Sequence, residues 1–163
     1  MAAGRNSLFR WLLPWLLLLA GCARPTGDYF FVSTETARSQ QGHYSFTLSL
    51  DDTTGTYTIW MAARLVASRL PERQIAFDIR TTSPVGETAI ERKTFPIAEQ
   101  ALTRLNKGSG SVVDCEWRWK EAIPIRGAEA GRWQVSVTPT DSLLLDAIYG
   151  VGIAYEENSH GKR

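Results

Sequence analysis

The sequence predicts an all-β fold, a two-sheet antiparallel β-sandwich of the jelly-roll type with one short helix. Apolar and polar residues alternate with a period of two over most of the chain, and Gly- and Asp-containing turn signals separate the alternating segments. The sequence shows no β–α–β alternation of the kind that would favour a parallel sheet. With 163 residues, 44% of them hydrophobic and 21% charged, the chain has enough apolar surface for a single globular core.

The N-terminus predicts a lipoprotein signal. Two arginines precede an apolar run at residues 11–19, which is much shorter than the roughly 20 residues that a membrane-spanning helix needs. The run leads into Leu19-Ala20-Gly21-Cys22, which resembles the bacterial lipobox. This resemblance implies that the Cys22 thiol is acylated and that the chain is cut before it. Residues 1–21 are then the signal peptide, and residues 22–27 form a tether.

Acylation would attach the mature chain to a membrane. Each buried methylene contributes about 0.8 kcal/mol, so two or three acyl chains hold a protein on a bilayer. Ala23 stands where an Asp would favour the inner membrane by analogy with enterobacterial sorting, so we expect the outer membrane. The next residues contain a single acid, Asp28, which favours the periplasmic leaflet over the cell surface. The expected first partner is therefore outer-membrane lipid, through Cys22.

The predicted sandwich occupies residues 28–157, and residues 158–163 form a polar tail. We expect eight or nine short strands. Seven segments carry the clearest signal, at residues 43–50, 56–66, 74–81, 88–95, 112–120, 132–138 and 147–156. In the last segment, one face is predicted to carry Tyr149, Val151, Ile153 and Tyr155. Gly150 and Gly152 share the other face, where a neighbouring backbone or side chain can come close.

The single helix is predicted at residues 97–106, because its apolar residues recur at helical spacing on one face. A Gly- and Ser-rich loop follows this segment. Cys115 lies among apolar neighbours of a strand, and we expect a buried, unreactive thiol.

Composition excludes several classes of function. A formal net charge of +1 provides no basic surface for nucleic acid. The two histidines, His43 and His160, leave no multi-histidine metal site, and neither belongs to a nucleophile motif. We therefore expect no metal, no cofactor and no enzymatic activity. Asp51-Asp52 and Glu156-Glu157 are predicted as turn and surface groups, although a hydrolase built from carboxylates of distant strands stays open.

Aromatic residues supply the candidate binding positions. Trp117 and Trp119 share a strand face with Val113 and Cys115, which favours core packing, while a carbohydrate or peptide platform is the alternative. Trp60 lies opposite the apolar face of its own strand. It is therefore the better candidate for a partly exposed aromatic, and Arg64 on the same face is expected to stack on it.

The order of features over residues 28–157 resembles the GldH-type gliding-motility lipoproteins of the Bacteroidota. The resemblance rests on the Cys22 lipobox, on the Ser83-Pro84-Val85-Gly86 turn, and on the late segments Gly131-Arg132-Trp133-Gln134-Val135 and Gly150-Val151-Gly152-Ile153. It implies a non-enzymatic role that is accessory to gliding or to the associated protein-secretion apparatus.

Two functions follow from these observations. The first is a lipid-anchored, non-enzymatic envelope protein that binds partner proteins. The second is a carbohydrate-binding sandwich of a glycan-utilisation system, with Trp60 or the pair Trp117 and Trp119 as the stacking surface.

Overall fold

The computed structural model describes residues 28–69, 74–97, 112–142 and 144–158. Within these ranges, eight strands form two four-stranded antiparallel sheets, which confirms the predicted all-β sandwich. The strands are β1 (Tyr29–Ser33), β2 (Tyr44–Leu50), β3 (Thr56–Val66), β4 (Gln74–Thr82), β5 (Thr88–Pro96), β6 (Val112–Pro124), β7 (Gly131–Pro139) and β8 (Ile148–Asn158). Every one of the seven predicted segments coincides with a strand.

The two sheets interleave distant parts of the chain. The first sheet has the strand order β1-β8-β3-β6, and the second has the order β2-β7-β4-β5. All the strand pairs within them are antiparallel. Consequently β3, the third strand along the chain, has the last described strand, β8, on one side and β6 on the other.

The core lies between the sheets and is built by the predicted alternation. Strand β2 alternates buried and exposed residues along its whole length, and the inward side chains of β4 are fully buried. Burying one such aliphatic or aromatic side chain contributes roughly 1.5–3 kcal/mol. The inner faces of these two strands and of β3 are formed by Tyr44, Phe46, Leu48, Leu50, Tyr57, Ile59, Met61, Ala63, Leu65, Ile75, Phe77 and Ile79.

Two short α-helices were not predicted, namely α1 (Thr34–Ser39) and α2 (Leu144–Ala147). Helix α1 begins after β1, where the Ser33 hydroxyl accepts a hydrogen bond from the Thr36 backbone N–H at 3.2 Å. The buried Thr34 hydroxyl bonds the Tyr44 hydroxyl at 2.8 Å and the Ile148 carbonyl. Of the predicted helix at 97–106, only the buried Ile97 lies within the described residues.

The start of β8 departs from the predicted alternation. Leu65 pairs with Ile148 and Arg64 with Gly150, so β8 has one extra residue at this point and forms a β-bulge. Ile148 is therefore buried while Tyr149 is 55% exposed, and the prediction that Tyr149 shares the inner face was wrong. Beyond the bulge, the predicted inward positions are confirmed for Val151, Ile153 and Tyr155.

The ends of the chain fall largely outside the described residues. These include the predicted signal peptide, the tether and the polar tail, except that Asn158 closes β8 and donates a 2.8 Å hydrogen bond to the Thr58 hydroxyl. In the part of the chain that the structure describes, no helix has the length and hydropathy required to cross a membrane.

Candidate binding site

A groove of about 640 Å³ lies on the outer face of the first sheet. Its floor is low because small residues of β3 and β8 lie there: Ala62 is paired with Gly152, and Ala154 is the β8 partner of Trp60. Strands β1 and β6 flank this central pair on either side. The floor therefore lies below the larger side chains that surround it on the four strands. We refer to this feature as the outer groove.

One end of the outer groove is closed by a ladder of side chains that crosses all four strands. The Phe31 ring of β1 covers Gly150 of β8, where an added Cβ atom would lie only 2.2 Å from the ring. The guanidinium of Arg64 lies 5.8 Å from the centre of the same ring. Arg64 also donates two hydrogen bonds to Asp114 of β6, at 2.7 and 3.0 Å. The structure thus gives Arg64 an aromatic neighbour that the sequence did not indicate.

The contacts of the ladder orient its members. The hydrogen bond from Arg64 holds the pKa of Asp114 below its usual value. Both side chains are largely exposed, and ion pairs of this kind contribute about 0–1 kcal/mol. We therefore infer that the ion pair contributes little to stability and mainly holds the guanidinium and the carboxylate in place at this end of the groove.

Trp60 stands at the other end of the outer groove, half-buried and on the predicted outer face. Trp60 and Arg64 are four positions apart on β3, which corresponds to about 13 Å of extended chain. The direct neighbours of Trp60 across the strands are Ala154 and Arg118. Glu156 and Glu116 occupy the diagonal positions on either side, where Cα atoms are typically about 7–8 Å apart.

The charge around the outer groove is negative. Its lining contains one cation, Arg64, and three carboxylates, Asp114, Glu116 and Glu156, which gives a formal charge of −2. Asp114 is paired with Arg64. Glu116 and Glu156 form no ion pair with any residue that the structure describes. The neighbouring Arg118 is bound to Glu121 at 2.8 Å.

Trp117 and Trp119 lie elsewhere, at the side of the sandwich where β5 meets β6. Trp117 stacks on Phe95 with ring centres 5.0 Å apart and donates its indole N–H to the Pro96 carbonyl at 2.7 Å. Trp119 is only 7% exposed and donates to Glu91 at 2.9 Å. These contacts form what we call the β5–β6 seam. Trp119 therefore fits the core alternative, whereas Trp117 is half-buried and packs against the edge of the core.

Glu91 connects the seam to nearby cations. Its carboxylate lies 2.5 Å from the Lys120 ammonium, which also sits 5.4 Å from the centre of the Trp119 ring. Burial would raise the pKa of Glu91, but the opposing effects of Lys120, Trp119 and Lys93 together lower it. The seam is therefore held by packing and by a charge-assisted hydrogen bond.

Within the described ranges, the one cysteine and the one histidine are engaged in structural contacts. Cys115 is 7% exposed, and burial, together with the Asp114 charge, raises the pKa of its thiol, as expected for an unreactive cysteine. His43 forms a 2.7 Å hydrogen bond between its Nδ1 atom and the Thr138 hydroxyl. His160 lies outside the described residues.

A second, acidic depression lies at the end of the sandwich where β1 begins. It contains Asp28, Asp51, Asp52 and Glu157 beside two tyrosines. A hydrogen bond with Asp52 raises the pKa of Glu157, while bonds from Thr54 lower the pKa of Asp52. Asp52 and Glu157 thus meet in direct contact. The depression thus gathers four carboxylates, and the hydrolase alternative stays a prediction.

Sequence reasoning located Trp60 and Arg64 on the outer face but missed Phe31, Glu116 and Glu156. The sequence offered one signal for Phe31. The pair Gly150 and Gly152 indicated that another part of the chain comes close to β8, but it did not identify that part. The two glutamates alternate with inward residues of their strands, as many surface glutamates do. Only the strand order brings them to either side of Trp60.

Comparison with known proteins does not extend this description to a family. No family model matches the chain, and none of the curated proteins matches it. Among solved structures, a family GH115 4-O-methyl-α-glucuronidase with specificity for decorated arabinogalactans is 10% identical, with a TM-score of 0.36 over 71% of this chain. Latent dimeric PorU from Porphyromonas gingivalis is 10% identical, with a TM-score of 0.37 over 85%.

The chain spans only 13% and 14% of the lengths of those two proteins. The tripod of the bacteriophage Tuc2009 baseplate is also 10% identical, with a TM-score of 0.28 over 78% of this chain and 100% of that one. Similarities at this level carry no functional argument. The candidate function therefore rests on the site itself.

Proposed function

We propose that this protein is a lipid-anchored, non-enzymatic envelope protein that holds a partner protein in the outer groove. The observation that carries the proposal is the groove itself, a concavity with Trp60 at one end and the Phe31–Arg64–Asp114 ladder at the other. Tryptophan and arginine are enriched among the residues that dominate binding energy at protein interfaces. A rigid sheet presents them with their spacing fixed by strand register.

The anchor is the second part of the proposal. The lipobox at Cys22 and the short tether would keep β1 close to the lipid surface, in the outer membrane and on its periplasmic leaflet. The resemblance to the GldH-type lipoproteins supports an accessory role in gliding or its associated secretion apparatus. Partner binding and anchoring together describe an adaptor that keeps another envelope component at the membrane.

The anchor is tested by globomycin, which blocks the lipoprotein signal peptidase. We expect the drug to cause accumulation of the unprocessed precursor, and mass spectrometry to find acyl chains on Cys22 of the untreated protein. A Cys22→Ser chain should carry no acyl chains and should stay uncleaved, because both steps depend on the Cys22 thiol. Unchanged processing together with an unmodified Cys22 would contradict the anchor.

The groove is tested by capture of partners from native envelope extracts with acylated protein in detergent. Ala62→Arg fills the floor of the outer groove with a long side chain, whereas Ser45→Arg adds the same side chain at an exposed position of the second sheet. We expect Ala62→Arg to abolish capture of a specific protein and Ser45→Arg to leave it intact. Equal capture by both variants would refute the site.

A glycan array run with the same two variants tests the competing ligand class. Glycan binding that Ala62→Arg removes, with no protein captured, would replace the partner protein by a carbohydrate. The binding surface would still be the outer groove, because a tryptophan beside polar side chains is also able to stack on a sugar ring.

A further inference from the structure

We infer that the partner enters the outer groove with a basic side chain, a lysine or arginine whose charged head lies over Trp60 between Glu116 and Glu156. This inference rests on the proposed function and specifies the chemistry of the partner. It follows from the charge of the groove and from the positions of the two glutamates relative to the indole.

The geometry provides two kinds of attraction at one point. Trp60 lines the groove, and the face of an indole attracts a cation by about 0.5–2 kcal/mol, with the larger values at desolvated sites. Glu156 of β8 and Glu116 of β6 flank it diagonally from opposite sides. A cation above the ring would therefore meet a carboxylate on each side.

The charge of the groove selects against other occupants. The lining carries three carboxylates and one arginine, and that arginine is already committed to Asp114 through two hydrogen bonds. A phosphate, a uronate or an anionic lipid headgroup would find no available cation among the described lining residues and would be repelled by Glu116 and Glu156. A neutral ligand would leave both glutamates without a partner.

The floor of the groove supports the same assignment. Ala62 and Ala154 leave room for the aliphatic stem of a long basic side chain, since neither projects beyond its Cβ atom. Lysine and arginine cover apolar surface with such stems while their heads stay at the polar rim. The partner would thus bury its stem against the floor and place its charge at Trp60.

The experiment uses acylated, ¹⁵N-labelled mature protein in detergent micelles, with the Trp60 indole N–H signal identified from a Trp60→Phe sample. The probes are short peptides of glycine with one central arginine or lysine. The control peptide carries citrulline, which has the shape of arginine without its charge. We expect the cationic peptides to shift the Trp60 signal saturably, and the citrulline peptide to bind at least tenfold more weakly.

Matched variants separate charge from folding. Glu116→Gln combined with Glu156→Gln keeps the size of both side chains and is expected to weaken the cationic peptides at least tenfold. Glu35→Gln, on the exposed surface of α1, should change nothing. Equal binding of arginine and citrulline peptides, or unchanged binding by the double variant, would overturn the inference.

The inference and the proposed function fail in different ways. If Ala62→Arg abolishes partner capture but the double glutamine variant leaves it intact, the outer groove remains the binding site. The inference of a basic side chain is then overturned. Capture that survives Ala62→Arg would remove the site itself. A neutral sugar that shifts Trp60 while the cationic peptides do not would also overturn the inference.

Discussion

The β5–β6 seam and the outer groove contain the same conspicuous residue type in opposite roles. In the seam, Trp117 and Trp119 point between the sheets and give their indole N–H groups to Pro96 and Glu91. In the groove, Trp60 points away from the core and lies between two glutamates that lack an ion-pair partner among the described residues. A tryptophan on a strand acquires its role from the side of the sheet that it faces.

The comparison also indicates why the seam is a poorer candidate for a binding surface than the outer groove. A ligand that stacked on the face of Trp117 that Phe95 covers would have to displace that ring, which lies 5.0 Å away. A ligand at Trp119 would have to open the contact with Glu91 and Lys120. A ligand at Trp60 would need no such displacement, because Ala62 and Ala154 leave the floor of the groove beside it open.

The largest effect is expected from Trp119→Ala, which would break the seam. Removing a large buried aromatic destabilises a protein by about 3–5 kcal/mol, and here it also leaves Glu91 without its indole donor. Trp60→Ala is the matched substitution on the outer face, with an expected loss of about 1 kcal/mol. Urea unfolding monitored by circular dichroism measures both. Equal losses would remove the distinction between the two regions.

An intermediate effect is expected from Gly150→Ala at the ladder end of the groove. The new methyl group would lie 2.2 Å from the Phe31 ring and 2.8 Å from the Val32 carbonyl, so both the ring and the strand would have to shift. Overpacking of this kind typically costs about 1–3 kcal/mol. Gly127→Ala is the control, because nothing lies within 4 Å of its added carbon, and there we expect a change within about 0.5 kcal/mol.

Unfolding in urea measures the two glycine variants side by side. Adding Phe31→Ala to Gly150→Ala should recover part of the lost stability, since it removes the ring but not the backbone contact. If Gly150→Ala is as mild as Gly127→Ala, the Phe31 ring does not cover the strand as described.

The smallest effect concerns the acidic depression, which lies outside both regions. The pKa of Glu157 is raised in the folded state, so its favourable contribution is present at acidic pH and is lost as the pH rises through that raised pKa. Glutamine resembles the protonated form. Glu157→Gln should therefore be more stable than the wild type at neutral pH, with a difference in melting temperature that shrinks towards about pH 4. A difference independent of pH would contradict the contact with Asp52.

The sequence predicted the strands well because their signal is local. Alternation along β2 and β4 specifies both the strand and its inner face, and both agree with the structure. The same reasoning failed at Tyr149, because a bulge depends on the register with β3 and leaves no trace in the alternation. It also missed α1, a six-residue helix whose main local marker is the Ser33 cap.

The candidate site was predictable only in part. The outward positions of Trp60 and Arg64 followed from their alternation with buried residues of β3. Phe31, Asp114 and Glu156 come from three other strands, and they reach the same groove because β1, β8, β3 and β6 are neighbours. Strand order is set by pairings between distant parts of the chain, which one sequence does not specify.

The most direct test of the account is site-specific photo-crosslinking from the two outer faces. Cys115 is buried, so a benzophenone can be attached to a cysteine introduced by Arg118→Cys beside the groove or by Ser45→Cys on the second sheet. In native envelopes, we predict one protein adduct from position 118 that disappears when Ala62→Arg is added, and none from position 45. An adduct that forms equally from both positions, or that persists with Ala62→Arg, would contradict the outer groove as the binding site.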